Sequence, residues 1–319
     1  MDSISTPSKK SLITGLLLCI TLVLLALAPL FVQPYLVIFL STVFMNIVLT
    51  LSWTIFSGPT RYISLGSAAF FGVGVYVSAL VGEALYMPVV VFVGGTVSFI
   101  LAFCIGLLTL RLKGTYFIIF TFGISELIKY SLLWWEANMT GTVGRWVFGV
   151  ENTMVYYVML TIFVMTLLTA FLIKRSKFGM ALQSIGENEE AAVHIGINVV
   201  LLKTVTFAIS AFFMGAAGAI MATRWAYIDP HIAFNTLFSF MPVLMAIFGG
   251  IGALYGPILG AGFFAILEEV LITKFPYYYM LIFGIILVTM IMFLPKGLVG
   301  LIQKGVGAIK KGRTGKSEG

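Results

Sequence analysis

Residues 88–110 read PVVVFVGGTVSFILAFCIGLLTL, an unbroken run without one charged side chain. A helix rises about 1.5 Å per residue, so this run alone reaches across the ~30 Å hydrocarbon core of a bilayer. Working outward, nine further runs of the same kind lie near 11–31, 35–56, 62–82, 115–135, 154–173, 203–223, 237–255, 257–273 and 277–294. Those at 62–82, 237–255 and 257–273 are the weakest, being short or rich in Gly and Ser. The pattern predicts an all-α polytopic membrane protein of about 8–10 transmembrane helices, organised as a single membrane domain over residues 1–319.

Composition supports this reading. The chain has 319 residues, 60% hydrophobic and only 10% charged, with a mean hydropathy of +1.09. A soluble domain carries about 25% charged residues, so a soluble enzyme is excluded, and disorder fails on hydrophobicity. An outer-membrane barrel would show short alternating segments instead. Cys19 and Cys104 both sit in apolar runs and imply neither a disulfide nor a metal site. The first run has the basic front of a signal peptide in Lys9 and Lys10, and Ala26-Leu27-Ala28 imitates a cleavage site. Its length and Pro29 favour a retained helix.

Charge sets the expected orientation. With the N-terminus inside and ten spans, 15 of the 19 basic residues fall on the cytoplasmic side, among them Arg61, Arg111, Lys113, Lys174, Arg175, Lys177 and Lys203. Lys129, Arg145, Arg224 and Lys274 fall at or towards the other side. That split obeys the positive-inside rule and puts both termini in the cytoplasm. The net charge of +7 then needs no nucleic acid. The basic tail over about 296–319 reads as a solvated anchor near anionic lipid.

No G-x-x-x-x-G-K-[ST] and no H-E-x-x-H occurs. His194 and His231 fall on opposite sides of the expected membrane and cannot share a site. The expectation is a chain with no catalytic residues and no metal.

The longest polar stretch between spans is 174–202. Its second part looks like a short helix, with Glu187, Glu189 and Glu190 in the first turn, where carboxylates suit the helix dipole. Gly196 follows the last turn, where a left-handed cap needs Gly. Ala191 and Ala192 keep the helix thin. The residues alone allow either a solvated surface helix or an element that slides into a groove.

Within this loop, Glu190-Ala191-Ala192 followed by Gly196 resembles the E-A-A-x-x-x-G core of permeases in ATP-binding-cassette importers. The wider SKFGMALQSIGENEEAAVHIGIN (176–198) is similar to LivM-type permeases of branched-chain amino acid importers. So are SLGSAAFFGVGVY (64–76), LRLKGTYFIIFTFGISELIK (110–129), MAIFGGIGALYGPILGA (245–261) and MFLPKGLVG (292–300), in the family order. Where the family often carries a Gly-Gly-x-x-Gly segment after the fifth span, this chain reads Met139-Thr140-Gly141-Thr142-Val143-Gly144-Arg145.

The resemblance implies the importer permease fold and a transport subunit in the bacterial or archaeal cytoplasmic (inner) membrane. Its partners would be a second related permease, two cytoplasmic ATPases carrying ATP and Mg, and a periplasmic or extracytoplasmic binding protein, with no cofactor on this chain. Coupling to the ATPases would fall on Gly179, Glu187, Asn188, Glu190, Ala191, Ala192 and Gly196. Branched-chain amino acids are the implied cargo, with urea or short amides the neighbouring alternative. An ion-coupled carrier working alone is a rival of another class and would lean on Glu126.

Ionisable groups at membrane depth are expensive and often functional. Glu126 and Lys129 lie three residues apart on one helix face, as a structural ion pair, a snorkelling Lys or part of a translocation path. Ser67, in a cluster of small residues, is a further path residue or a packing residue. Glu268 and Glu269 read as interfacial. Ser67–Gly72 and Ser210–Gly215 look alike, as an internal repeat or shared composition would leave them. On the outer side, Arg145, Arg224, Asp229 and Lys274 are candidate charges for docking a binding protein.

Overall fold

The computed structural model describes residues 9–112 and 114–293; Lys113 and the basic tail lie outside the described residues. The chain runs α1 (Lys9–Phe31), α2 (Pro34–Thr60), α3 (Ser67–Val81), α4 (Met87–Thr109) and α5 (Thr115–Trp135), which a π turn extends over Glu136–Thr140. There follow β1 (Arg145–Trp146), α6 (Asn152–Arg175), α7 (Lys177–Glu187), α8 (Glu189–His194) and α9 (Val199–Met221). A 3-10 turn over Ala222–Arg224 leads to β2 (Tyr227–Ile228), α10 (Pro230–Ala233), α11 (Leu237–Gly249), α12 (Tyr255–Lys274) and α13 (Tyr279–Phe293). All ten apolar runs are helical. Among the described residues seven helical stretches are long and apolar enough to cross a membrane: 34–60, 87–109, 115–140, 152–175, 199–224, 230–249 and 255–274.

Pro34 and Pro88 sit in the first turns of α2 and α4, where a missing N–H costs nothing. The centre of the bundle is α9, packed on α3 and α4 through small residues. A Cβ on Gly74 of α3 would overlap the Gly215 carbonyl of α9, and one on Gly218 would overlap that of Phe71. Such contacts substitute for a hydrophobic driving force between membrane helices. The look-alike segments 67–72 and 210–215 thus belong to two helices that pack on each other. In the same way Gly260 of α12 packs on the Met245 carbonyl of α11. The hydroxyls of Tyr156 and Tyr157 on α6 donate to the Leu25 and Ala26 carbonyls of α1.

Two ends are defined by contacts between distant loops. At one, Gly186 packs on the Pro59 carbonyl and Lys174 Nζ donates to the Gly252 carbonyl at 3.2 Å. This loop end carries Arg61, Lys174, Arg175 and Lys177. At the other, β1 pairs antiparallel with β2, Arg145 opposite Ile228 and Trp146 opposite Tyr227. This ribbon end carries Arg145, Arg224 and Asp229.

The third run departs from its expected start at Tyr62. Residues 61–66 are irregular and fold back along α2, where Trp53 Nε1 donates to the Ser64 carbonyl at 2.8 Å. Trp53 lies two turns, about 10 Å, inside the end of α2. Leu65 N–H donates to Thr121 Oγ1 at 3.0 Å and Ala68 N–H to Ser239 Oγ at 3.4 Å. Helix α3 therefore begins at depth, and its unwound lead-in is satisfied by neighbouring side chains, as irregular backbone inside a membrane protein must be.

Candidate functional site

At the loop end the polar stretch forms two helices. Ser176 caps α7, its side chain accepting from Gly179 N–H at 3.2 Å. Asn188 caps α8, accepting from Glu190 and Ala191 N–H, both at 3.1 Å. Glu187 is accordingly not in the first turn of the short helix, as its position in the loop suggests. It is the last residue of α7, because Asn188 takes the capping role that Asx side chains favour. Glu189 and Glu190 do occupy the first turn.

The far end of α8 matches expectation. Gly196 has φ +85°, its N–H donates to the Val193 carbonyl, and Ile197 N–H donates to that of Ala192. That pair of hydrogen bonds is the Schellman cap.

Helix α8 is two-faced. Ala192 is buried against Ile185 and Val199, so it packs inward and cannot enter a partner's groove. Glu190, Ala191, Val193, Ile195 and Gly196 are exposed. Gly179 lets α7 close on the Ile173 carbonyl of α6. Beside α7 lies a cleft of about 400 Å³ lined by Arg61, Lys174, Gln183 and Glu187.

An ion pair locks α8 to the bundle. Lys203, in the first turns of α9, is fully buried, and its Nζ donates to Glu189 Oε1 at 3.0 Å. Tyr62 OH donates to Glu189 Oε2 at 2.6 Å, and the Tyr62 ring lies 4.2 Å from Lys203 Nζ. Burial first, then the Glu189 bond, pushes the Tyr62 phenol well above its ordinary value. Sequence reading counted Lys203 as one more cytoplasmic charge. The available signal was a Lys inside an apolar run with a carboxylate cluster one loop earlier.

In the membrane-spanning region Glu126 pairs with Lys129 on α5, the i,i+3 arrangement foreseen. Lys129 does not snorkel: it is buried, with Tyr130's ring 5.1 Å from Nζ. Thr236, just ahead of α11, donates to Glu126 Oε1 at 3.5 Å. Ser67 is at the start of α3, buried, with no partner for its hydroxyl among the described residues. It lies beside a small cavity with Ser57, Ser64 and Ser210, apart from the Glu126 pair. Glu269 accepts from Tyr35 OH.

At the ribbon end Arg145 is committed. Its Nε lies 3.3 Å from Glu136 Oε1, whose side chain is 1% exposed. Glu136 Oε2 also accepts from Gly144 N–H at 2.9 Å and Tyr76 OH at 3.3 Å. Arg224 donates to the Ile38 carbonyl, Asp229 caps α10, and Lys274 ends α12, exposed. Glu136, Tyr76 and Thr236 were missed from sequence, since their partners are distant in the chain. Among the described residues no group of three or more His, Cys, Asp or Glu is placed to hold a metal.

The family described as branched-chain amino acid transport system, permease component, matches residues 35–291. LivM, a high-affinity branched-chain amino acid transport system permease protein of Salmonella typhimurium, is 27% identical over 81% of this chain and 68% of its own. LivM of Escherichia coli K12 is 26% identical over the same shares. LivH of E. coli K12, a permease protein of the same description, is 29% identical over 39% of this chain and 42% of its own. No solved structure matches the chain.

Proposed function

The chain belongs to the permease-component family of branched-chain amino acid transport systems, and on that premise we propose that it forms the translocation path of an ATP-driven importer for branched-chain amino acids. It is a multi-pass transport subunit, and hydrolysis of ATP with its Mg belongs in this reading to two partner ATPases. A related permease of the LivH kind would complete the membrane pair, and a periplasmic or extracytoplasmic binding protein would deliver cargo at the ribbon end. The loop end and both termini face the cytoplasm in this proposal, which the segregation of Arg61, Lys174, Arg175 and Lys177 supports.

The observation that carries the coupling role is α8. It is capped at both ends, its inner face is locked to α9 through Glu189 and Lys203, and its outer face is exposed. A push on Glu190, Ala191, Val193 or Ile195 therefore passes to a span through an ion pair anchored on a buried lysine rather than through a slack loop.

Two variants test this. Gly196→Val strains the left-handed cap by roughly 1–2 kcal/mol, and Glu190→Lys reverses a charge on the outer face. Both leave the spans untouched. Each variant is expected to insert normally, yet shed its ATPases on purification or lose hydrolysis stimulated by binding protein in proteoliposomes. Wild-type ATPase retention and transport in both would reduce α8 to a linker.

A further inference from the structure

Glu126 stands near the middle of α5, about 15 Å from either end of that helix. Its side chain is 26% exposed, whereas that of Lys129, one turn on, is 9% exposed. The pair is thus open to the outside of the chain at the carboxylate and closed at the ammonium. Acyl chains do not solvate a carboxylate, so this opening faces water or protein. The same face of α5 carries Ile119 and Gly123, at helical spacing with Glu126, and Leu127 follows at its edge. Ile119 and Leu127 are exposed, and a Cβ on Gly123 would meet no described atom within 4 Å. A carboxylate, an ammonium and the Thr236 hydroxyl therefore lie together, with an open apolar flank running along α5 beside them.

We infer that Glu126 and Lys129 are the headgroup site for a zwitterion, Glu126 taking the ammonium of the cargo and Lys129 its carboxylate. This rests on the importer reading and adds where, and by what chemistry, the cargo's charges are held. At rest the pair neutralises itself, so neither charge is bare at membrane depth. A zwitterion exchanges that one internal pair for two intermolecular pairs, and the net charge is zero in both states. Thr236 holds Glu126 while Lys129 turns outward, and the Tyr130 ring gives the ammonium a second contact on the way. Ile119, Leu127 and the space above Gly123 suit a branched aliphatic side chain. A neutral solute such as urea offers no exchange and leaves the pair closed.

The test is uptake of labelled leucine by cells carrying the whole importer, with membrane content of the chain quantified. Glu126→Gln and Lys129→Gln should each lower uptake about tenfold or more, the scale of a lost charged partner. The decisive variant combines Glu126→Lys with Lys129→Glu, keeping an ion pair but reversing its direction. Normal insertion with uptake still depressed supports the site; restored uptake overturns it and makes the pair a brace. Should the exchanged chain fail to insert, Gly123→Cys in a chain with Cys19→Ser and Cys104→Ser replaces it. Leucine should slow its alkylation during turnover, while leucinamide and 4-methylpentanoate, each lacking one charge, should not. Alkylation indifferent to leucine overturns the site. A wild-type complex that takes up urea and not leucine overturns the cargo class as well, whereas leucine uptake unaffected by the exchange overturns the site alone.

Discussion

At the loop end a lysine, Lys203, is fully buried and answered by Glu189; at the ribbon end a glutamate, Glu136, is buried and answered by Arg145. Each lock recruits a tyrosine, Tyr62 in one and Tyr76 in the other. The difference lies in how the buried charge is held. Glu136 accepts from a backbone N–H and a phenol as well as from Arg145, so neutral donors share the work. Lys203 is met by the carboxylate of a six-residue helix that it ties down and by the face of the Tyr62 ring. The ribbon-end lock therefore closes a strap over the bundle, whereas the loop-end lock fastens α8 to α9.

If that contrast is right, Glu189→Ala should have the largest effect. It takes the paired carboxylate away from a buried ammonium, a change that costs about 3–5 kcal/mol, and adding Lys203→Met should recover most of the loss. Thermal unfolding of the purified complex measures both; a loss under about 1 kcal/mol would mean Lys203 finds water and the two ends are alike. Arg145→Met should cost less, about 1.5–3 kcal/mol for one charged hydrogen bond, because Gly144 and Tyr76 still hold Glu136. Equal losses at the two ends in the same assay would break the comparison.

Tyr62→Phe is expected to be the mildest, near 1 kcal/mol, and it carries a pH signature. The folded state raises this phenol above its ordinary 10.0, so its contribution is whole below pH 10 and is lost as pH rises through the folded value. The wild-type complex should accordingly lose more stability than Tyr62→Phe when pH is raised beyond 10. Parallel decline of the two would remove the phenol from the lock.

The helices were legible because apolar runs of about 20 residues have one solution in a bilayer. Gly196 was legible too, since only a few residue types tolerate φ +85°. What the sequence did not disclose was contact across distance. Lys203 looks like a charge at a helix start until Glu189 is brought beside it from the preceding loop. Tyr62 looks like the start of a span, yet residues 61–66 stay unwound because Trp53 and Thr121 supply their hydrogen bonds. Splitting one polar loop into α7 and α8 turned on Asn188, whose capping oxygen is easily passed over among three glutamates and two alanines. Glu126 and Lys129 were found because both partners sit on one helix; Glu136 was not, because its donors come from α3 and the ribbon.

The ribbon also bears on how the protein is made. Its two strands are separated by roughly 80 residues, which a ribosome adds in about 4–16 s. For that interval the first strand, with Trp146 beside it, waits at the membrane without its hydrogen-bonding mate. Two further spans, α6 and α9, must insert before Tyr227 arrives. The pairing of β1 with β2 is thus a late event in biogenesis, and any insertion machinery that holds the nascent chain must release the fifth span before the strap can be closed.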